Sequence, residues 1–235
     1  MKKSTWVAFA PFYLLVMIMA IGVASAGSNA ATVISQQHPV ERSHIIVIDA
    51  GHGGIDGGAT SCSGVLESKI NLEIALRLDD VFHLLGYDTV MIRTTDESVY
   101  TEGTTIASQK VSDLKERVRI CNETPNAILI SIHQNTFSDS RYKGAQVFYA
   151  PTEGSEELAK QIQQDMVSIL NPGSNRKVKK SDHVYMMQKI VCTGALIECG
   201  FLSNPEEEAK LRNSEYQKRL CAVIAASCSQ HLSEE

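Results

Sequence analysis

A single α/β domain, with a mostly parallel twisted central sheet and helices on both faces, is predicted by three observations. Short aliphatic, β-branched runs at 45–48, 127–132 and 194–197 read as buried strands. Amphipathic stretches separate them, as in chained strand-helix-strand units. Each run ends in a polar or glycine-rich residue, the pattern expected where the carboxyl ends of strands open into loops.

The first run, Ile45-Ile46-Val47-Ile48, breaks at Asp49-Ala50-Gly51-His52-Gly53-Gly54, where glycine lets the backbone approach a ligand closely. Residues 67–85 form a helix, because Ile70, Ile74, Leu78, Val81, Phe82 and Leu85 recur at helical spacing. Glu67 shares that inward stripe and aims at the sheet, near His52. Gly86 stops the helix, and 88–93 returns as a strand. Residues 94–111 are polar without period and read as a surface excursion over a cleft. Ser112 or Asp113 then caps a helix over 114–121, which leads through Pro125 into the strand that ends at His133. Further on come a strand at 146–149, an amphipathic helix over 155–170 and a short edge strand at 184–187. The last central strand ends at Glu198, and helices over 204–211 and 214–232 close the chain.

The amino terminus reads as an export signal or membrane anchor over 1–26. Lys2 and Lys3 precede an uncharged apolar run, and Ala24-Ser25-Ala26 offers a small-residue cleavage site. A polar linker over 27–42 follows, and the domain from residue 43 to 235 works outside the cytoplasm, with the membrane reached only through the amino-terminal segment. Removing the leader takes away only Lys2 and Lys3, which leaves 20 basic against 27 acidic residues. That balance excludes nucleic acid as a partner. The six cysteines show no CxxC pair, and Cys121, Cys221 and Cys228 fall in helical patterns, so mostly free, buried thiols are expected.

His52, Glu67, His133 and Glu198 come from four separate elements. The first three have the chemistry of a His/Glu/His zinc site with one open position, one Zn2+ per chain. Glu198 is the second acidic group that amide hydrolysis needs, taking a proton from water and delivering it to the leaving amine. Asn71 and Asn135 stand where they would support the ligands or the substrate. His83, His38, His44 and His231 fall outside the site; His183 borders the cleft. The cationic run Arg176-Lys177-Val178-Lys179-Lys180 reads by itself as a solvated face.

Four motifs occur in order: Asp-Ala-Gly-His-Gly-Gly, Glu67 with Asn71, Ser131-Ile132-His133-Gln134-Asn135, and Glu198-Cys199-Gly200-Phe201-Leu202-Ser203-Asn204. Together they resemble the type 3 family of zinc-dependent N-acetylmuramoyl-L-alanine amidases over about residues 45–232. The resemblance implies peptidoglycan as substrate and cleavage of the amide between the lactyl group of N-acetylmuramic acid and L-alanine. It assigns zinc to His52, Glu67 and His133, and acid/base catalysis to Glu198. Asn175-Arg176-Lys177-Val178-Lys179 also resembles a stretch beside the family's groove, a resemblance that implies contact with peptide carboxylates. Gln134 and Cys199 depart from the family's usual small residue and threonine, and neither is expected to touch a ligand. A lone domain behind a leader is similar to the sporulation branch, which prepares spore cortex for germination, and an activating or metal-stabilising protein partner is compatible with it. Two rivals are a non-catalytic wall-binding or regulatory domain and a zinc peptidase cutting within the stem peptide.

Overall fold

Strand β1 (Ile45–Ala50) lies between β2 (Asp88–Met91) and β3 (Ala127–Asn135), parallel to both, in the computed structural model, which describes residues 44–233. The expected leader, linker and His38 lie outside those residues. β6 (Thr193–Phe201) pairs in parallel with β3, β4 (Gln146–Tyr149) runs antiparallel to β6, and β5 (Lys179–Lys180) closes the edge beside β4. The sheet order is β2-β1-β3-β6-β4-β5, so the expected mostly parallel sheet is present.

Strand side chains alternate between two cores, as period-two geometry requires. Ile46, Ile48, Ile130, Ile132 and Ile197 face α1 (Glu67–Leu84), α3 (Ser155–Asp165) and α6 (Ser214–Ser233), which contribute Leu78, Phe82, Ile162 and Ile224. Val47, Leu129 and Leu196 face the other way, onto Cys121 of α2 (Ile106–Glu123) and Met186 and Met187 of α4 (Tyr185–Lys189). Helices therefore cover both faces. The cysteines of the described residues are free, four of them buried, Cys192 intermediate and Cys62 exposed. No helix among the described residues is long and apolar enough to cross a membrane.

Three local expectations are corrected. The helix expected over 114–121 begins at Ile106, inside the stretch read as a surface excursion. Its cap is Thr105, whose hydroxyl accepts from the Ser108 N–H while Ser108 Oγ accepts from the Thr105 N–H. Ser112 and Asp113 instead hold the preceding loop, accepting from the N–H groups of Thr101, Glu102 and Val99. The edge strand expected at 184–187 is helix α4, and the edge is β5. The 155–170 helix is α-helical only to Asp165, and its last five residues widen into a π turn, Met166–Leu170.

At the far end of β6, helix α5 (Pro205–Leu211) is capped by Asn204, whose Oδ1 accepts from the Glu206 and Glu207 N–H groups. Buried Glu207 accepts from the N–H groups of Gly144 at 2.8 Å and Phe201 at 2.9 Å, so one carboxylate joins the approach to β4 to the end of β6. Glu207→Ala would strand both donors and is expected to lower the unfolding free energy by about 2 kcal/mol in urea titration. A change below about 0.5 kcal/mol would show that water replaces the carboxylate.

Candidate metal and catalytic site

β1, β3 and β6 end side by side, and their carboxyl ends carry His52, His133 and Glu198. The chain leaves β1 through Gly51 into a loop in which His52 adopts φ 60°, a left-handed conformation costing a non-glycine residue about 1–3 kcal/mol. Two buried arginines hold it there. Arg117 donates to the His52 carbonyl at 2.7 Å, to the Ala50 carbonyl at 3.1 Å and to Asp49 at 2.5 Å. Arg93 donates to the carbonyls of Ala50 at 2.7 Å and Gly51 at 3.0 Å, and to that of Ser68 at 2.8 Å. Burial disfavours the Arg117 charge, but Asp49 and Asp113 outweigh it and raise its pKa.

Glu67 begins α1 and reaches over the carboxyl ends of β1 and β3. Its carboxylate lies 3.3 Å from His52 Nε2 and 3.1 Å from His133 Nδ1. The donor atoms of His52, Glu67 and His133 lie within 4.8 Å of one another, and the group could hold a metal ion. Their types, two imidazoles and a carboxylate, suit a divalent ion of the zinc class. His52 Nδ1 is held by Asp56 Oδ2 at 2.9 Å, and Asp56 by Lys110 at 2.8 Å, so Nε2 is the nitrogen turned toward Glu67. Burial favours the neutral acid of Glu67, yet hydrogen bonds from His133 and His52 hold it far below the usual carboxylate range. Burial works against the His52 imidazolium, but Glu67 and Asp56 raise its pKa to about 9.

Glu198 pairs in register with His133 across β3 and β6. Its Oε2 is buried without a hydrogen-bond partner, and burial raises its pKa to about 7 against the opposing charge of His133. Asn71 donates to Glu67 Oε1 at 3.2 Å and to the Gly51 carbonyl at 3.1 Å. Asn135 enters through its backbone, its carbonyl accepting from Leu202 N–H where the β3–β6 register shifts. Gln134 does touch the ligand set, contrary to expectation. Its N–H donates to Glu67 Oε1 at 3.1 Å and its amide to Asn71 Oδ1. Cys199 is buried in the core under α1, on the face of β6 away from Glu198, where it lies beside the Gln134 side chain. His83 is paired with Asp79 of α1 and Thr89 of β2, away from the carboxyl ends of the strands. His183 is exposed one residue before Val184, which lines the cleft.

These groups open into a cleft of about 330 Å³ between α2 and α4, walled by Lys110, Leu114, Arg117, Tyr185 and Met186. The sequence did not single out Arg93, Arg117, Asp56 or Lys110. The one available signal was Asp113 with Arg117, an i,i+4 pair on a helix, which ordinarily marks a solvated face.

A family model described as N-acetylmuramoyl-L-alanine amidase matches residues 46–230. A germination-specific N-acetylmuramoyl-L-alanine amidase of Bacillus subtilis (strain 168) is 36% identical over 193 residues, 81% of each chain. The CwlD amidase of Clostridioides difficile, solved in complex with the GerS lipoprotein, is similar at 36% identity and TM-score 0.77, covering 81% of this chain and 99% of that one. An N-acetylmuramoyl-L-alanine amidase from Clostridium difficile 630 matches at 28% identity and TM-score 0.72, covering 83% of this chain and all of the other.

A Cβ added at Gly51 would stand 2.2 Å from His133 Nε2. Gly51→Ala is therefore expected to displace that imidazole and lower metal occupancy at least about tenfold, read by metal analysis after dialysis. Full occupancy would mean that His133 is not held at this approach. A second expectation concerns pH. His52 has its pKa raised from 6.5 to about 9 in the metal-free fold, so the stability it contributes is fully present below pH 6.5 and lost as pH rises toward 9. Melting of the metal-stripped domain should shift down across that window. Metal loading should reverse the trend, because proton and metal compete for the same nitrogens; a flat profile in the stripped protein would remove His52 from the account.

Proposed function

The chain belongs to the N-acetylmuramoyl-L-alanine amidase family, and from that premise we propose that His52, Glu67 and His133 hold one Zn2+ and that Glu198 is the catalytic acid/base. The observation that carries this reading is the convergence of three ligand-type side chains beside a carboxylate whose buried Oε2 has no partner. The enzyme cleaves the amide between the lactyl group of N-acetylmuramic acid and L-alanine of the peptidoglycan stem peptide.

The zinc ion, when bound, supplies a Lewis acid that lowers the pKa of water toward about 7 and polarises the amide carbonyl. The protein's own part begins with orientation. Asp56 fixes the His52 tautomer, and Asn71 and the Gln134 N–H fix the Glu67 carboxylate. Glu198 Oε2 accepts the proton of the attacking water and returns it to the leaving nitrogen, without which an amine is expelled very slowly. A pKa near 7 leaves it able to do both at neutral pH. The cleft walls of Tyr185, Met186 and Leu114 limit access of further water.

The similarity to a germination-specific enzyme supports action on spore cortex, and work on peptidoglycan supports a location outside the cytoplasmic membrane. The export signal over 1–26 belongs to the same proposal. The solved CwlD amidase is bound to a lipoprotein, which supports a protein partner for this chain too, with a role in metal binding or activation.

Zinc content and digestion of purified peptidoglycan, with products separated by mass, test the assignment. About one zinc per chain and chelator-sensitive release of intact stem peptides are expected, whereas fragments cut inside the peptide would indicate a peptidase. Glu198→Gln should retain zinc and lose hydrolysis by about 10²- to 10⁴-fold. A fully active variant would sink the role given to Glu198.

A further inference from the structure

We propose that the buried side chain of Gln134 is a positioning residue for the metal ligand Glu67: acting through Asn71, it sets how tightly the site holds its ion. The proposal rests on the zinc reading above.

Gln134 sits where the strand pattern calls for an apolar residue. Alternate residues of β3 share a face, so Gln134 follows Ile130 and Ile132 into the core under α1. It is 3% exposed, and an amide at such depth is costly to keep unless its polar atoms are used. Its Nε2 donates to Asn71 Oδ1 at 3.2 Å. Its Oε1 has no hydrogen-bond partner among the described residues, although the Cys199 thiol lies beside the side chain. A half-satisfied amide in an aliphatic layer is poor packing, and what it gains is the contact with Asn71.

Asn71 passes that contact on. It is fully buried, and its Nδ2 donates to Glu67 Oε1 at 3.2 Å and to the Gly51 carbonyl at 3.1 Å, while its Oδ1 accepts from Gln134. Both donors thus meet acceptors and the oxygen meets a donor. Turning the amide over would set its oxygen against a carboxylate and a carbonyl, and its nitrogen against the Gln134 nitrogen. Asn71 therefore has one orientation, and Gln134 holds its oxygen end.

Glu67 Oε1 is in this way gripped twice by one residue, directly by the Gln134 N–H at 3.1 Å and through Asn71 by the Gln134 side chain. The Gly51 carbonyl that takes the second Asn71 donor immediately precedes His52, so the relay joins the backbone leading to one imidazole with the carboxylate that lies against both. Groups that orient a ligand act on metal affinity, by about 10- to 100-fold. Gln134 and Cys199 are the two positions at which the motifs depart from the family's usual residues, so the relay is a feature of this chain.

The test is a double-mutant cycle on the purified full chain: wild type, Gln134→Met, Asn71→Ala and the two together. Methionine keeps the length and the backbone N–H at 134 and removes only the amide. Zinc dissociation constants are read by competition with a chromogenic chelator. The visible spectrum of the cobalt(II)-loaded protein reports ligand geometry, and melting of the metal-free protein reports folding. Gln134→Met is expected to weaken zinc binding about tenfold and to change the cobalt spectrum, while the metal-free protein melts no lower than wild type. On top of Asn71→Ala it should add less than about twofold. Unchanged zinc affinity, the same tenfold loss on top of Asn71→Ala, or a loss that comes only with a lower-melting metal-free fold would overturn the relay and leave the zinc reading standing. A wild type that takes up no zinc would overturn both. If Gln134→Met does not fold, Gln134→Ala takes its place in the cycle with the same expected and opposing results.

Discussion

Arg117 is 2% exposed, and its guanidinium joins Asp49 at the end of β1, Asp113 on its own helix, and the carbonyls of Ala50 and His52. A buried charge of this kind is tolerated only when its partners are in place, and removal of one partner typically costs about 3–5 kcal/mol. Asp49 in turn accepts from Ser131 of β3 at 2.6 Å. The pair thus ties α2 to the two central strands at the point where the ligand loop begins. The left-handed backbone at His52 persists because Arg117 and Arg93 grip three successive carbonyls, at positions 50, 51 and 52.

A second constraint follows from placing a carboxylate against two imidazoles. Glu67 is 4% exposed and has His52, His133, Asn71 and the N–H groups of Ala59 and Gln134 around it. Such a group stays ionised only because donors surround it. A proton on His52 and a metal ion held by the same group would satisfy the same anion, so protonation would stabilise the fold without metal and the ion would stabilise it when bound. Glu198 sits in the opposite situation. Its buried oxygen lacks a donor, the anion is destabilised, and its proton becomes easy to exchange near neutral pH. Two carboxylates in one cleft are driven apart in pKa by their surroundings, which suits one to holding an ion and the other to moving a proton.

The sheet distributes these roles. One face is closed by α1, α3 and α6 over a continuous aliphatic core, while the other is covered only by α2 and the short α4. The gap between α2 and α4 is the cleft, and β4, reversed against β6, places Gln146 beside Glu198, where its Oε1 accepts from Arg176. Rigid strand ends and buried arginines fix His52, His133 and Glu198, while the cleft walls are formed by α2 and the short α4.

Strand-end histidines, the inward phase of Glu67 and the polar end of β6 were legible in the chain itself, because period and local composition report which face a residue occupies. The mostly parallel sheet with helices on both faces followed from the alternation of strand and helix patterns, while the strand order itself appears only in the fold. The Thr105 cap was missed because Ser108 stands where a capping box usually carries Glu or Gln, and α4 because five residues are too few to show a helical period. Nothing local distinguishes Arg117, whose charge meets Asp49 68 positions away, from any arginine on a solvated helix face. Sequence alone determined the central strands, the long helices with their inward faces, and the residue types at the strand ends, because each is written in local period and composition. Tertiary structure alone decided which charges became buried partners, since burial and pairing arise from segments remote in the chain and appear only when the sheet brings them together.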